Sequence, residues 1–185
     1  MPPRVLSRQY GRQPSEAVRA ALLSFTLTFV RAARTVAGVE RLALVGSLAT
    51  PKLYPKDVDL LVTLADDADV APLATLGRQL QGRAQGLNSG ADIFLASPSG
   101  VYLGRTCPWR ACAPAQRARC GARYRTGRPY VRDDLGVLVL PPALIAAPPL
   151  ELWPGVVARG PVPGDVEAVL LAPLREDADR RVARG

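Results

Sequence analysis

In "PSEAVRAALLSFTLTFVRAARTV" the apolar residues Val18, Leu22, Phe25, Phe29 and Ala33 recur at steps of three and four. That period predicts a helix with one buried face. Ser15 stands where an N-cap belongs and Glu16 falls in the first turn, where acids are favoured. Gly38 ends the element, and the pattern then shifts. "VERLALVG" reads as a short, apolar strand closed by Gly46, "VDLLVTL" as a second, and "GADIFLAS" (90–97) as a third. Between the second and third, residues 69–86 predict another helix, punctuated by Pro72 and two glycines.

The order helix, strand, loop, strand, helix, strand predicts an α+β or α/β-like domain: a small mixed β-sheet with helices packed on it. Residues 1–14, polar and basic, are expected to form a flexible arm. The domain is expected over residues 15–140, with its core at 15–97 and a basic, cysteine-containing extension at 104–132. "LGVLVL" (135–140) reads as one more strand. Residues 141–185 are expected to be a Pro-rich irregular wrapping segment, a helix starting near Asp165, and a charged tail.

Composition changes the picture in one place. Hydrophobic residues make up 48% of the 185 positions, enough for a sizeable core. The net charge is +8, and its distribution is uneven. No acid occurs between residues 93 and 132, where Arg105, Arg110, Arg117, Arg119, Arg123, Arg125, Arg128 and Arg132 lie. These arginines account for the whole excess, which points to an anionic partner or to a solvated basic loop. No signal peptide is visible, and prolines break the most apolar stretch, so neither export nor a membrane span is expected. The expectation is a soluble cytoplasmic protein.

The chemistry gathers in "VGSLATPKLYPKDVDLLVTL" (45–64). Alternation along a strand puts Asp57 and Asp59 on one face while Val58, Leu60 and Val62 point into the core. Two carboxylates about 5–7 Å apart repel unless a cation lies between them, and oxygen-only ligation suits Mg²⁺. Gly46 allows close backbone approach, and Ser47 offers a hydroxyl and an N–H to an anion. Asp92 opens the third strand and falls beside the pair if the second and third strands are neighbours. Such equipment fits phosphoryl or nucleotidyl transfer assisted by two metal ions. Asp-x-Asp at a strand start is also ordinary turn chemistry, with the acids capping backbone amides.

The combination "GS … DVDLLV … ADIFL" resembles the minimal nucleotidyltransferases of the DNA polymerase β superfamily, over roughly residues 15–97. The resemblance implies that Gly46 and Ser47 contact a triphosphate and that Asp57 and Asp59 hold two Mg²⁺ ions. It further implies that Asp92 binds the catalytic metal and helps deprotonate an acceptor hydroxyl. Thr50-Pro51 stands where that family often has Arg-Gly, and Lys56 where it often has Ser. Lys56 would either neutralise a phosphate or be a solvated turn residue. The implied function is a Mg²⁺-dependent transfer of NMP from an NTP to a protein, RNA or small-molecule hydroxyl. The alternative is a non-catalytic module on the same fold that binds RNA or a protein partner, of the toxin–antitoxin kind.

"CPWRACAPAQRARC" spaces Cys107, Cys112 and Cys120 loosely for zinc, and the chain has no histidine. A three-thiolate site completed by Asp133 or water is one reading; core or free thiols are the other. Trp109, Tyr124 and Tyr130 among the arginines of 105–132 fit nucleic-acid binding or the holding of a nucleoside triphosphate. Arginine stems lying over a sheet edge are the plainer alternative.

Overall fold

The computed structural model describes residues 15–112, 128–132 and 136–183. Helix α1 (Ser15–Ala33) leads into β1 (Val39–Val45), then a single 3₁₀ turn (Ser47–Ala49) and β2 (Asp57–Leu64). Helix α2 (Ala71–Gln85) connects to β3 (Gly90–Ala96), and β4 (Tyr102–Thr106) and β5 (Val131–Arg132) follow. After α3 (Pro142–Ala146) come β6 (Leu150–Trp153) and β7 (Val157–Ala158). The described chain ends in α4 (Gly164–Val166), a π-helical stretch (Glu167–Leu171) and α5 (Ala172–Val182). Pro173 lacks the N–H that a regular α-helix would bond back to Val169, and the helix widens just before it.

The strands form one seven-stranded mixed sheet in the order β5-β4-β3-β2-β1-β6-β7. Among the described strands only β2 and β3 run parallel; α2 is the crossover between them. The fold class is therefore α+β with a mixed sheet, as the patterning predicts. One face of the sheet carries the larger core. There Leu42, Leu44, Val58, Leu60, Val62, Ile93 and Leu95 meet Leu22, Leu23, Leu73, Leu80, Leu170 and Leu174 from the helices. The other face holds a smaller cluster of Ala43, Val45, Leu61, Phe94, Ala96 and Tyr102, covered by Leu140 and Ile145. This is the face on which Asp57 and Asp59 lie, four and two positions before Leu61 and in step with it.

The first three strands match their predicted bounds to within a residue, while the first helix ends at Ala33, three residues short of the predicted Val36. Pro72 sits in the first turn of α2, where its missing N–H costs nothing. Gly77 faces β3 and β4, and a side chain there would stand 3.1 Å from Thr106 Oγ1. Two expectations need correction. Residues 136–140 are not a strand: Val137 and Val139 are exposed, while Leu138 and Leu140 lie on the smaller cluster without a ladder partner. The expected irregular wrap at 141–164 contains α3, β6 and β7, and β6 pairs directly with β1. β4, which overlaps the start of the basic extension, has no counterpart among the predicted strands; its Arg105 and Gly104 hide the alternation. The arm at 1–14 lies outside the described residues. No helix among the described residues is long and apolar enough to cross a membrane.

Candidate functional site

The register of the central strands brings the acids together. Val45 is the Cα partner of Asp59, Asp59 of Asp92, and Asp57 of Gly90. Because β2 and β3 run parallel, both present their N-terminal ends at the same edge of the sheet. Asp57, Asp59 and Asp92 are all half-buried there, on one face.

Two glycines make room for this arrangement. Gly46 ends β1 at φ 71 and ψ −161, a conformation essentially restricted to glycine. A methyl group at Gly46 would overlap Asp59 Oδ2 and stand 2.8 Å from its Cγ. A methyl at Gly90 would overlap Asp57 Oδ1 and stand 3.3 Å from its Cγ. Each Asp of the pair thus fills space that a bare Cα on a neighbouring strand leaves open.

Crowding shows in the electrostatics. Burial, then the charges of Asp92 and Asp57, push the Asp59 carboxyl up from 3.8 to about 6, against the opposing pull of Arg105. Arg105 of β4 supplies a cation from the chain itself: its Nη1 donates to Asp92 Oδ1 at 2.8 Å. The donor set around Asp59 is oxygen only and too negative for its own charge, which fits a hard divalent cation such as Mg²⁺. Among the described residues, however, no three Asp, Glu or Cys side chains stand gathered as a ready metal cage. Asp92 is turned towards Arg105.

The loop after Gly46 is held from below. Arg19 of α1 is buried; its Nη2 donates to the Leu48 carbonyl at 3.2 Å and its Nη1 to the Lys52 carbonyl at 2.9 Å. It also forms a two-pronged ion pair with Asp165 at the start of the C-terminal helices. That pair, chiefly through the Arg19 hydrogen bond, holds the Asp165 carboxyl below its usual range. Ser47 is half-buried beside exposed Gly46, and its carbonyl accepts from the Thr50 N–H at 3.1 Å and hydroxyl at 2.8 Å. Lys56 is exposed, and its carbonyl accepts the Gly90 N–H at 3.0 Å, tying the mouths of β2 and β3.

Sequence reasoning placed Asp57, Asp59, Asp92, Gly46, Ser47 and Lys56 in one neighbourhood, and all six lie at this edge. It missed Arg19 and the role of Arg105. Arg105 was visible only as one of many arginines, and nothing local distinguished it. Arg19 carried one faint signal, a charge one position after Val18 on the apolar side of α1. Of the basic segment, Arg128 is engaged within the chain: its Nη2 donates to the Ala65 and Ala68 carbonyls at 3.1 and 2.9 Å, and so fastens a turn. Cys107 is buried, and the Cys112 sulfur accepts the Tyr130 N–H at 3.1 Å. Cys120, Tyr124 and Asp133 lie outside the described residues, as do Arg117, Arg119, Arg123 and Arg125.

No family model matches the chain, and no curated protein matches it. Among solved structures it is similar to a "putative nucleotidyltransferase" from Sulfolobus solfataricus, at 14% identity and a TM-score of 0.31, over 54% of this chain and 93% of the other. A likeness of that size does not reach to function, and the residues themselves must carry the reading.

Proposed function

We propose that the protein is a nucleotidyltransferase that moves an NMP from an NTP to an acceptor hydroxyl, with Asp57, Asp59 and Asp92 as its working carboxylates. The observation that supports this most is the register of Asp59 against Asp92 on parallel strands, with Asp57 on the same face. Gly46 and Ser47 would receive the triphosphate, Gly46 by its bare Cα and Ser47 through its N–H and hydroxyl. Asp57, Asp59 and Asp92 would hold Mg²⁺, which when bound neutralises phosphate charge and lowers the pKa of a coordinated hydroxyl. The acceptor oxygen forms a bond to the α-phosphorus while the bond to the bridging α–β oxygen breaks, and pyrophosphate leaves. The hydroxyl proton passes to a carboxylate of the site, Asp92 being the one named by the resemblance. Arg105 orients Asp92 in the meantime.

A second reading is favoured by one observation. Arg105 already pairs with Asp92, as expected of a relative that keeps the fold and uses it only to bind a partner. Incubation with each labelled NTP and Mg²⁺ in lysate separates the two. The enzyme reading expects a labelled product that Asp59→Asn abolishes without loss of fold. Absence of labelling from all four NTPs, or transfer that survives Asp59→Asn, overturns it.

A further inference from the structure

Beside Asp92, on the side away from Gly46, lies a small cavity of about 60 Å³ whose walls are rich in arginine. Arg78 and Gln81 of α2, Asp92 of β3, Arg105 of β4 and Arg132 of β5 supply its polar lining. Its size suits one small charged group, not a base or a sugar. Arg105 and Arg132 are direct cross-strand partners, so two like charges face each other on one side of a short ladder. Such a pair is unfavourable by itself, and Asp92 pairs with one of its members, Arg105. Arg78 is fixed in place by donating to the Thr75 hydroxyl at 2.7 Å and the Trp109 carbonyl at 3.0 Å.

Position along the sheet gives the cavity a role. Gly46 and Ser47 follow β1, the aspartates lie on β2 and β3, and the arginines lie on β4, β5 and the adjoining helix. In a phosphoryl-type transfer the attacking and leaving oxygens stand roughly in line across the phosphorus. If pyrophosphate leaves on the Gly46 side, the acceptor enters from the arginine side. Guanidiniums arriving from a helix and two strands surround a tetrahedral anion better than a planar one.

We propose that this cavity binds a phosphate group carried by the acceptor, making the acceptor a phosphorylated molecule. The acceptor's part in the reaction rests on the nucleotidyltransferase reading; the phosphate site does not.

Inorganic phosphate titrated calorimetrically into the metal-free full chain at low salt is the probe. Saturable binding is expected, weakened about tenfold or more by Arg132→Ala and by Arg78→Gln, since charge-assisted hydrogen bonds are the strong ones. Arg132 is exposed, so its removal should leave the thermal melt unchanged. Arg180→Ala, which removes the same charge from α5, should bind as the unaltered chain does. Acetate should not saturate, and a non-hydrolysable NTP analogue should not displace the phosphate. Absent saturation, unchanged affinity in both cavity variants, equal binding of acetate, or displacement by the analogue would each overturn the proposal. Phosphate binding without NMP transfer leaves this site standing and removes the enzyme reading; transfer without phosphate binding does the reverse.

Discussion

Gly46 and Asp59 occupy one space: the hydrogen on the Gly46 Cα stands where any side chain would run into the Asp59 carboxylate. The glycine also adopts a φ of 71 that other residues avoid. Gly46→Ala therefore adds backbone strain of about 1–3 kcal/mol to a steric conflict that reaches the Asp59 Cβ. Denaturant unfolding should show a loss of about 2–4 kcal/mol, and any Mg²⁺-dependent transfer should disappear.

Gly90→Ala is expected to behave differently. Its φ is not in the left-handed region, and the group it meets first is the end of the Asp57 side chain, which can rotate away. Stability should change by less than about 1 kcal/mol, while transfer falls because Asp57 is re-aimed. A large stability loss would mean that the Asp57 carboxylate is locked in its present rotamer.

Asp59 sets a pH dependence whose sign is fixed by its direction of shift. Its folded pKa of about 6 lies above the ordinary 3.8, so the folded chain binds the extra proton between those values. Stability is favoured at low pH and lost as pH rises from about 4 through about 6. The full difference would be about 3 kcal/mol, reduced to roughly 1–2 kcal/mol by the site's partial exposure. In metal-free buffer, Asp59→Asn should therefore melt higher than the unaltered chain at pH 8 and equal to it near pH 4. If the carboxylates hold Mg²⁺, adding it at pH 8 should narrow that gap.

Removing Arg19 should loosen the loop after Gly46. Arg19→Ala deletes two bonds to loop carbonyls and the ion pair to Asp165, whose own side chain is 39% exposed and so remains solvated. A loss of about 2–3 kcal/mol is expected on unfolding. Amide exchange of Ser47, Leu48 and Lys52 should accelerate more than that of β3.

Asp177 ties α5 to α1 through Arg31 and Arg34, with Arg180 alongside. Its hydrogen bond from Arg31, first among several cationic contacts, holds the Asp177 carboxyl far below the usual range. That depressed value contributes stability above the ordinary aspartate pKa and loses it as pH falls below about 4. Asp177→Asn should cost about 1 kcal/mol at pH 7 and clearly less at pH 2, read from thermal melts at the two pH values.

Local pattern determined much about this protein. Helical spacing in α1 and alternation in β1, β2 and β3 reflect burial against one neighbour, which a single segment records by itself. The face shared by Asp57 and Asp59 follows from the two-residue repeat of any strand, and Gly46-Ser47 announces a tight exit. Only the tertiary structure decided the rest, because it depends on which strands lie side by side. Parallel pairing of β2 with β3 sets Asp92 opposite Asp59 and adds its charge to the burial that chiefly raises the Asp59 pKa; another strand order would have separated them. β6 reads as part of a Pro-rich wrap because its four residues gain their stability from pairing with β1, where Leu150 meets Leu44 from 106 positions earlier, not from any periodicity of their own. Arg105 and Arg19 look like their neighbours in the sequence. Folding alone brings one to Asp92 and the other to the Leu48 and Lys52 carbonyls, since a charged side chain acquires its partner from distant chain and not from its own segment.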